Sequence, residues 1–408
     1  MDLNKKSILR IVAIVLITAF LSIGATVLVM NSMRGDTVKL RAEEYKQLSD
    51  LFVIRDVMET VEKEHYGKIP TREEMIANAA KGIVQGLDDV YARYYTAKEY
   101  EDYLSSLNGE YSGVGMLVAQ PDGTGAEVLD VYKDNSAERA GIKTGDIITS
   151  VNDVEVKNMP IADLASLMNG EIGSVLKIAV LRNNEKMSFD VVCETVNIKR
   201  VDYALFNQAT GYIRIDMFTG SCAEEFSEAI KYLKDRGMRS LVIDLRNNPG
   251  GSLETVVDVA DTLLGDCKIV TVSGKTEKED VVYKGSGKGV EVPVAVIVNE
   301  NSASASEILA GAVKDNNKGV VVGMTTYGKG IVQTTFKINA DSSWLKITTS
   351  AYLTPNGTNI HGVGIVPDIE VELPDSMQGI AISKLDQEDD AQLWAALDYV
   401  REQADDGE

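Results

Sequence analysis

A serine among small side chains stands where an apolar run gives way to a helical pattern. The run Val294–Val298 predicts a buried strand, and the segment Asn301–Glu307, Asn-Ser-Ala-Ser-Ala-Ser-Glu, opens the following helix. A strand-to-helix turn of small residues exposes a serine oxygen beside backbone N–H groups and the positive helix end. Ser304 is therefore a candidate nucleophile. The same serine with Glu307 three residues later also matches a helix capping box, which is a purely structural role.

A serine nucleophile needs a base, and Lys329 lies between two glycines, Gly328 and Gly330. Because neither neighbour has a side chain, the lysine amine can approach closely. An amine accepts a proton only when neutral, so this role requires burial that lowers the pKa of Lys329 from about 10.4. Gln333 lies four residues on in a β-branched run, where the period of a strand puts it on the same face, able to accept a hydrogen bond from the lysine. The spacing predicts a triad of Ser304, Lys329 and Gln333.

A glycine-rich turn, Leu245–Gly251, follows the apolar strand pattern Leu241–Leu245 and precedes a helical pattern. Free N–H groups in such a turn can form an oxyanion hole. The structural alternative is a tight turn with no role in catalysis.

Other chemistries find few suitable residues. The sequence has two histidines, His65 in a helical region and His361, so a serine-histidine-aspartate triad depends on His361 alone. His-Glu-x-x-His and Cys-x-x-Cys motifs are lacking, which leaves no recognisable zinc ligand set. The segment Gly323–Gly330 matches a phosphate-binding loop except at its last position, where Ser or Thr would bind magnesium, and the residues after it indicate a strand. We expect no nucleotide, metal or other cofactor.

Composition limits the class of protein. The 408 residues leave room for two or three domains, and 44% hydrophobic with 25% charged residues are ordinary values for a folded chain. The formal net charge of −21 repels phosphate backbones and disfavours nucleic acid as a partner. Three cysteines, distant in sequence and odd in number, indicate buried small side chains rather than disulfides or a zinc site: Cys193, Cys222 and Cys267.

The amino terminus predicts a membrane anchor. Basic residues within residues 1–10 precede an uncharged run over 11–30, whose helical length matches a bilayer core of roughly 30 Å. More apolar residues follow Ile23-Gly24-Ala25, which favours an uncleaved anchor over a cleavable signal. The basic residues indicate a cytoplasmic tail over 1–10. We therefore expect a single-pass protein of the cell membrane with its remaining domains on the extracytoplasmic side.

Four regions follow the anchor. Residues 36–103 have helical periodicity, typical of a helical arm, of a dimerisation element or of a cap on the next domain. Residues 104–196 carry short Val- and Ile-rich runs punctuated by Gly and Asn, which predict a small β-rich module. Residues 197–375 alternate strand and helix patterns and predict an α/β domain, and 376–408 predict a helix and an acidic tail. The amphipathic ends suggest a possible homodimer.

Three motifs occur in the order Asp244–Gly251, Asn301–Glu307 and Tyr327–Gln333. Together they closely resemble the carboxy-terminal processing proteases, also called tail-specific proteases, which are serine-lysine enzymes with a PDZ domain. The resemblance covers almost the whole chain. Further matching segments are the stretch before the PDZ domain, its carboxylate-binding loop, the rest of its signature and the end of the protease core: Gly86–Tyr94, Tyr111–Val118, Ser136–Asn152 and Gly362–Asp368.

The resemblance implies roles for these positions. It makes Ser304 the nucleophile, Lys329 the general base and Gln333 the residue that orients the lysine. Ser302 and Ser306 are rivals, and Ser304 is preferred because it matches the first serine of the family's Ser-Ala-Ser-Glu. The resemblance also implies an oxyanion hole built from backbone N–H groups of the following residues: Ala305 and either Gly250 or Gly251.

For the PDZ domain the resemblance implies a peptide-binding loop. Its N–H groups would capture a free carboxylate while the substrate tail adds as a β-strand; the residues are Gly113, Val114, Gly115 and Met116. In relatives this domain gates the active site, so peptide capture would align the lysine with the serine.

The expected fold is an α/β, crotonase-like or Clp-protease-like core with an inserted or preceding PDZ domain, an N-terminal helical arm and one transmembrane helix. The expected function is a membrane-anchored serine endopeptidase acting on proteins with accessible C-terminal tails. Two alternatives stay open: a noncatalytic scaffold that binds protein tails, and a nonproteolytic crotonase-like enzyme.

Overall fold

The computed structural model describes residues 5–32, 40–108, 110–119, 125–206, 209–374 and 387–405. Its internal contacts divide the chain into two units, residues 1–80 and 81–408. Parts of the predicted cytoplasmic tail, of the region over 376–408 and of its acidic end lie outside the described residues.

The first unit is helical. Helix α1 (Lys5–Ser32) contains the segment Leu9–Met30, with mean hydropathy 2.6, which is long and apolar enough to cross a membrane. A capping box starts helix α4 (Arg72–Gln85), because the N–H of Thr71 donates to Glu74 (2.6 Å) and the N–H of Glu74 donates to the Thr71 hydroxyl (3.2 Å). Helix α1 is followed by α2 (Ala42–Asp50) and α3 (Phe52–Glu64), which precede α4.

A β-rich module follows β1 (Arg93–Tyr95) and α5 (Ala97–Asn108). Its sheet has the strand order β3-β4-β5-β7-β8, with β6 paired to β5, while β2 and β9 pair at its two chain ends. Apolar side chains from β4, β5 and β7 form one separate core. The elements are β2 (Glu110–Gly113), β3 (Met116–Ala119), β4 (Ala126–Val131), α6 (Ser136–Ala140), β5 (Ile147–Val151), β6 (Val154–Glu155), α7 (Ile161–Met168), β7 (Val175–Arg182), β8 (Glu185–Val192) and β9 (Glu194–Asn197).

The α/β domain is a largely parallel sheet with helices on both faces. Its strand order is β10-β11-β12-β15-β16-β19, and only β10 and β11 pair antiparallel. Residues Leu241 and Ile243 pack with α8, α9 and α10, whereas Val242 between them packs with α11. Burial on both faces explains the continuous apolar runs of β12 and β15. The elements are β10 (Val201–Phe206), β11 (Thr210–Ile215), α8 (Cys222–Asp235), β12 (Ser240–Asp244), α9 (Leu253–Leu264), β15 (Val294–Val298), α10 (Ala305–Asp315), β16 (Gly319–Gly323), β19 (Ile369–Glu370) and α11 (Ala391–Asp405).

A second β-sheet carries residues that also line the candidate active site. Its order is β1-β18-β13-β14, with β17 also paired to β18. The segment after Gly330 is strand β17, as its β-branched residues indicate. The remaining strands are β13 (Lys268–Ser273), β14 (Val281–Lys284), β17 (Ile331–Lys337) and β18 (Trp344–Leu353).

A buried ion cluster ties the turn after β12 to the C-terminal helix. The Arg246 guanidinium lies 2.6 Å from an oxygen of Asp244 and 2.8 Å from an oxygen of Asp390, which immediately precedes α11. The hydroxyl of Tyr212 donates to Asp244 (2.8 Å). Because Arg246 and both carboxylates are buried, each charge depends on the others.

We expect Arg246→Met to lower the free energy of unfolding by about 3–5 kcal/mol, because it leaves two buried carboxylates without their cation. Urea denaturation measures the change. The control is Arg214→Met, which removes the more exposed pair of Arg214 with Asp216 and should cost less than about 1 kcal/mol. Equal losses in the two variants would contradict the prediction.

Candidate active site

Ser304 occupies a strained turn at the start of α10. Its backbone has φ 55° and ψ −111°, a region that side chains other than glycine rarely adopt. The residue is 7% exposed and lines a cavity of about 900 Å³. A nucleophile held on such a turn at a helix N-terminus lies next to backbone N–H groups that no helical carbonyl can reach.

The neighbouring serines are engaged in the fold. The Ser302 hydroxyl donates to the carbonyl of Leu245 (2.8 Å), and that of Ser306 donates to the carbonyl of Asn248 (2.9 Å). Both serines are fully buried and neither lines the cavity. Of the three hydroxyls in this segment, that of Ser304 is the one placed on the cavity wall.

A fully buried carboxylate holds the serine turn and the lysine segment together. Glu307 Oε2 accepts the backbone N–H groups of Ser304 (2.7 Å) and Lys329 (2.8 Å). Its Oε1 accepts the N–H of Gly328 (2.7 Å) and the hydroxyl of Thr326 (2.7 Å). Four donors therefore converge on one side chain, which fixes the backbone at Ser304 relative to that at Lys329.

The amine of Lys329 lies in a half-buried position in the same cavity. Burial lowers the pKa of Lys329, the nearby cation of Lys346 lowers it further, and the carboxylate of Glu307 acts in the opposite direction. Its Nζ lies 4.5 Å from the centroid of the Tyr91 ring, within the range of a cation–π contact. In the described residues no hydrogen bond joins this amine to Ser304.

Tyr352 shares the cavity with the serine. Its buried side chain, on β18, lines the same cavity wall region as Ser304. Burial raises the pKa of Tyr352 to about 12, so the phenol is protonated at neutral pH.

Gln333 shares the cavity with both predicted partners. Its Nε2 donates to the hydroxyl of Thr348 on the paired strand (3.3 Å). A register shift between Val332 and Gln333 interrupts the pairing of β17 with β18 at this point. Among the described contacts, none is a hydrogen bond between Gln333 and Lys329.

The glycine turn packs directly against the serine. A Cβ at Gly250 would lie 2.8 Å from Ser304 Cβ and 2.9 Å from the nitrogen of Ala305, so this position requires glycine. The N–H of Gly250 donates to the side chain of Asn248 (2.9 Å). Across the described residues, the N–H groups of Gly251 and Ala305 have no protein acceptor.

The predicted peptide-binding loop lies in the β-rich module. The carbonyl of Val114 accepts the N–H of Ala137 (2.8 Å), and that of Gly115 accepts the N–H of Tyr132 (3.0 Å). Gly115 has φ 79°, and a Cβ there would lie 2.3 Å from Cβ of Asn135. Strand β3, which begins at Met116, ends the described strand order of its sheet. Gly113 ends β2, and none of the four loop residues lines the cavity.

The alternative chemistries depend on His361 and on clusters of metal-binding side chains. His361 is exposed and does not line the cavity. Within the described ranges, no group of three or more His, Cys, Asp or Glu side chains is arranged to hold a metal ion.

Sequence reasoning missed several residues of the site. Tyr91 belongs to a segment that the sequence marks only by its family resemblance, and the sequence pattern indicates only a helix-capping role for Glu307. Lys346 and Tyr352 carried one weak signal, because an unbroken strand would place residues six apart on one face. The register shift that leaves Thr349 as an extra residue of β18 interrupts this alternation.

Comparisons with known proteins agree with this organisation. Models of the PDZ domain and of Peptidase family S41 match residues 127–182 and 209–371. A "Probable CtpA-like serine protease" of Staphylococcus epidermidis is 32% identical over 373 residues, 90% of this chain and 73% of that protein. The structure of a putative S41 protease from Bacteroides fragilis is 16% identical with a TM-score of 0.53, covering 90% of this chain and 99% of that one. A photosystem II D1 C-terminal processing protease structure is 27% identical with a TM-score of 0.48, covering 78% of this chain and 88% of that one.

An α/β peptidase core beside a PDZ domain defines the class as a PDZ-containing serine peptidase. The chain belongs to peptidase family S41, with the CtpA-like serine proteases. The predicted membership in the carboxy-terminal processing proteases is thereby confirmed, and the protein is a serine-type peptidase of that kind.

Proposed function

We propose that the protein is a membrane-anchored endopeptidase that recognises C-terminal tails through its PDZ domain and cleaves by a Ser-Lys(-Gln) acyl-enzyme mechanism. One observation carries the proposal. Ser304, on a strained helix N-terminus, shares a cavity with Lys329, whose pKa is lowered by burial. The core would be crotonase-like or Clp-protease-like, an arrangement supported by the parallel strands with helices α8, α9 and α10 on one face.

In the mechanism, Ser304 Oγ attacks the scissile carbonyl carbon while its proton passes to neutral Lys329 Nζ. The N–H groups of Ala305 and Gly251 would stabilise the oxyanion, with Gly250 available once its bond to Asn248 is released. The C–N bond breaks, the lysine returns the proton to the leaving amine, and an ester remains on Ser304. Water, deprotonated by the same lysine, then hydrolyses the ester and restores the serine.

The lysine must first leave its present partner. Its amine lies over the Tyr91 ring and, among the described contacts, forms no hydrogen bond with Ser304, so the described arrangement is a resting one. Peptide capture by the PDZ domain would favour a conformation in which Lys329 reaches Ser304 and Gln333 accepts a hydrogen bond from it. The peptide would add to β3, with its carboxylate at Gly113, Val114, Gly115 and Met116.

Helix α1 would anchor the enzyme, with residues 1–10 in the cytoplasm and the catalytic domain on the other side. The exposed apolar segment Leu9–Met30 and the preceding basic residues support this topology. The amphipathic helices of residues 36–103 would form an arm or a dimerisation element.

We expect kcat/KM to rise with pH through the pKa of Lys329, because only the neutral amine is a base. Lys346→Met removes a nearby positive charge that lowers this pKa, so the rising limb should move to higher pH. Rates measured between about pH 6 and 10 test the shift. An unmoved limb, or one moved to lower pH, would contradict the assignment of the base.

A combined assay tests the proposed function. The full chain in detergent micelles is incubated with casein, and mass spectrometry follows the products and any acyl ester on Ser304. Binding of a peptide with a free carboxyl terminus is measured in parallel. Cleavage through a Ser304 ester supports the peptidase, whereas peptide binding without cleavage by a folded chain would favour a noncatalytic scaffold.

A further inference from the structure

A second lysine lines the catalytic cavity. Lys346 lies on β18, and its half-buried side chain shares the cavity with Ser304 and Lys329. Tyr352, six residues further along β18, lines the same cavity. A side chain in this place faces the space that a peptide bound for cleavage must enter.

Within the described residues, the positive charge of Lys346 lacks an ion-pair partner. Its Nζ donates to the hydroxyl of Tyr103 (3.2 Å) and lies 4.7 Å from the centroid of that ring. Among the residues that the structure describes, no carboxylate lies within ion-pairing distance of this amine. A phenol compensates a half-buried cation only weakly. Binding of an anion to this amine is therefore favourable.

The neighbouring charged residues do not neutralise the amine of Lys346. Arg93 and Lys329 repel the charge of Lys346, while Asp89 attracts it from beyond ion-pairing distance. The two oxygens of Asp89 accept the backbone N–H groups of Tyr91 (2.9 Å) and Thr348 (3.0 Å). Asp89 is therefore committed to holding the Tyr91 segment on β18.

The cavity also differs from the rest of the molecule in charge. The chain has a formal net charge of −21, yet the cavity is lined by two lysines and, within the described residues, one carboxylate, that of Glu254. Glu254 hydrogen-bonds the hydroxyl of Ser252 on the glycine-turn side. Next to Lys346 the wall is instead formed by Tyr103, and Tyr100 and Leu104 also line the cavity. The acidic surface of the protein repels anionic segments, whereas this local cationic site attracts them. The site therefore selects anionic groups.

We propose that Lys346 is a specificity-determining residue that binds an aspartate or glutamate side chain of the substrate close to the scissile bond. This inference rests on the proposed peptidase function and adds a substrate class to it: polypeptide segments with an acidic residue near the cleavage site. The contact is an ammonium–carboxylate pair beside the aromatic wall, which also accepts the apolar part of a neighbouring substrate residue.

The test uses the full-length enzyme and peptides that share one cleavage site and one carboxyl terminus. A single aspartate is scanned through the residues on both sides of the cut, and each peptide is paired with its asparagine counterpart. We expect an aspartate-to-asparagine ratio of kcat/KM of about tenfold at one or two positions. In Lys346→Met the ratio should fall to about one, and in Lys346→Glu lysine should be preferred there.

Lys337→Met is the matched control, because Lys337 is exposed on β17 and does not line the cavity; the ratio should persist. A wild-type ratio near one at every position would overturn the inference without any variant, and so would an unchanged ratio in folded Lys346→Met. Ser304→Ala separates the two claims. If cleavage still depends on Ser304 but ignores the aspartate, only the role of Lys346 is wrong, whereas cleavage independent of Ser304 removes the proposed function itself.

Discussion

Alanine at Ser304 or at Lys329 is expected to lower kcat/KM by at least about 10⁴-fold, since the nucleophile and its base act as a unit. Neither substitution should unfold the protein. Ser304 Oγ faces the cavity, and Glu307 binds the backbone of both residues rather than their side chains. Peptide cleavage measures the loss, and thermal unfolding followed by circular dichroism measures the fold.

The controls lie in the same segments. Ser302→Ala removes a buried hydroxyl that donates to the carbonyl of Leu245 and accepts the N–H of Asn299, so it should cost about 1–3 kcal/mol of stability while cleavage persists. Lys337→Ala removes an exposed lysine eight residues from Lys329 and should change neither property. Substantial turnover by folded Ser304→Ala or Lys329→Ala would refute the Ser-Lys mechanism.

The peptidase family and the main elements could be predicted because their signals are local. The apolar runs Leu241–Ile243 in β12 and Val294–Val298 in β15 indicate central parallel strands, and the small residues around Ser304 indicate a strand-to-helix turn. The glycines beside Lys329 mark a close approach: a Cβ at Gly330 would lie 2.5 Å from the nitrogen of His361. Each signal arises from residues adjacent in sequence, which is why the sequence alone carries it.

The partners of those residues arise from contacts between distant segments. Tyr91 reaches Lys329 because Asp89 binds the backbone of Thr348 on β18, and nothing in the local pattern around Tyr91 encodes that contact. The orientation of individual N–H groups is equally nonlocal, since that of Gly250 is decided by the Asn248 side chain. Gln333 likewise pairs with Thr348 where the register of two strands shifts. Spacing could group these residues but could not give their hydrogen bonds.

Glu307→Gln should both destabilise the fold and impair catalysis, because this carboxylate accepts four hydrogen bonds that an amide cannot replace. The glutamine oxygen can serve one pair of donors, while its NH₂ group would face the other pair. Two buried donors left unpaired should cost about 2–5 kcal/mol of unfolding free energy. Loss of register between the Ser304 and Lys329 backbones should lower kcat/KM by about 10²-fold.

The pH profile distinguishes positioning from simple loss of stability. The negative charge of Glu307 raises the pKa of Lys329, so its removal should move the rising limb of kcat/KM to lower pH, opposite to the shift expected for Lys346→Met. Glu300→Gln, at an exposed residue of the same turn, is the control and should leave stability, rate and limb unchanged. A Glu307→Gln enzyme that unfolds more easily but keeps the wild-type limb and rate would assign the carboxylate to the fold alone. A limb at lower pH with a reduced rate would instead support Glu307 as the residue that sets both the approach of the lysine to the serine and the pH at which the lysine becomes a base.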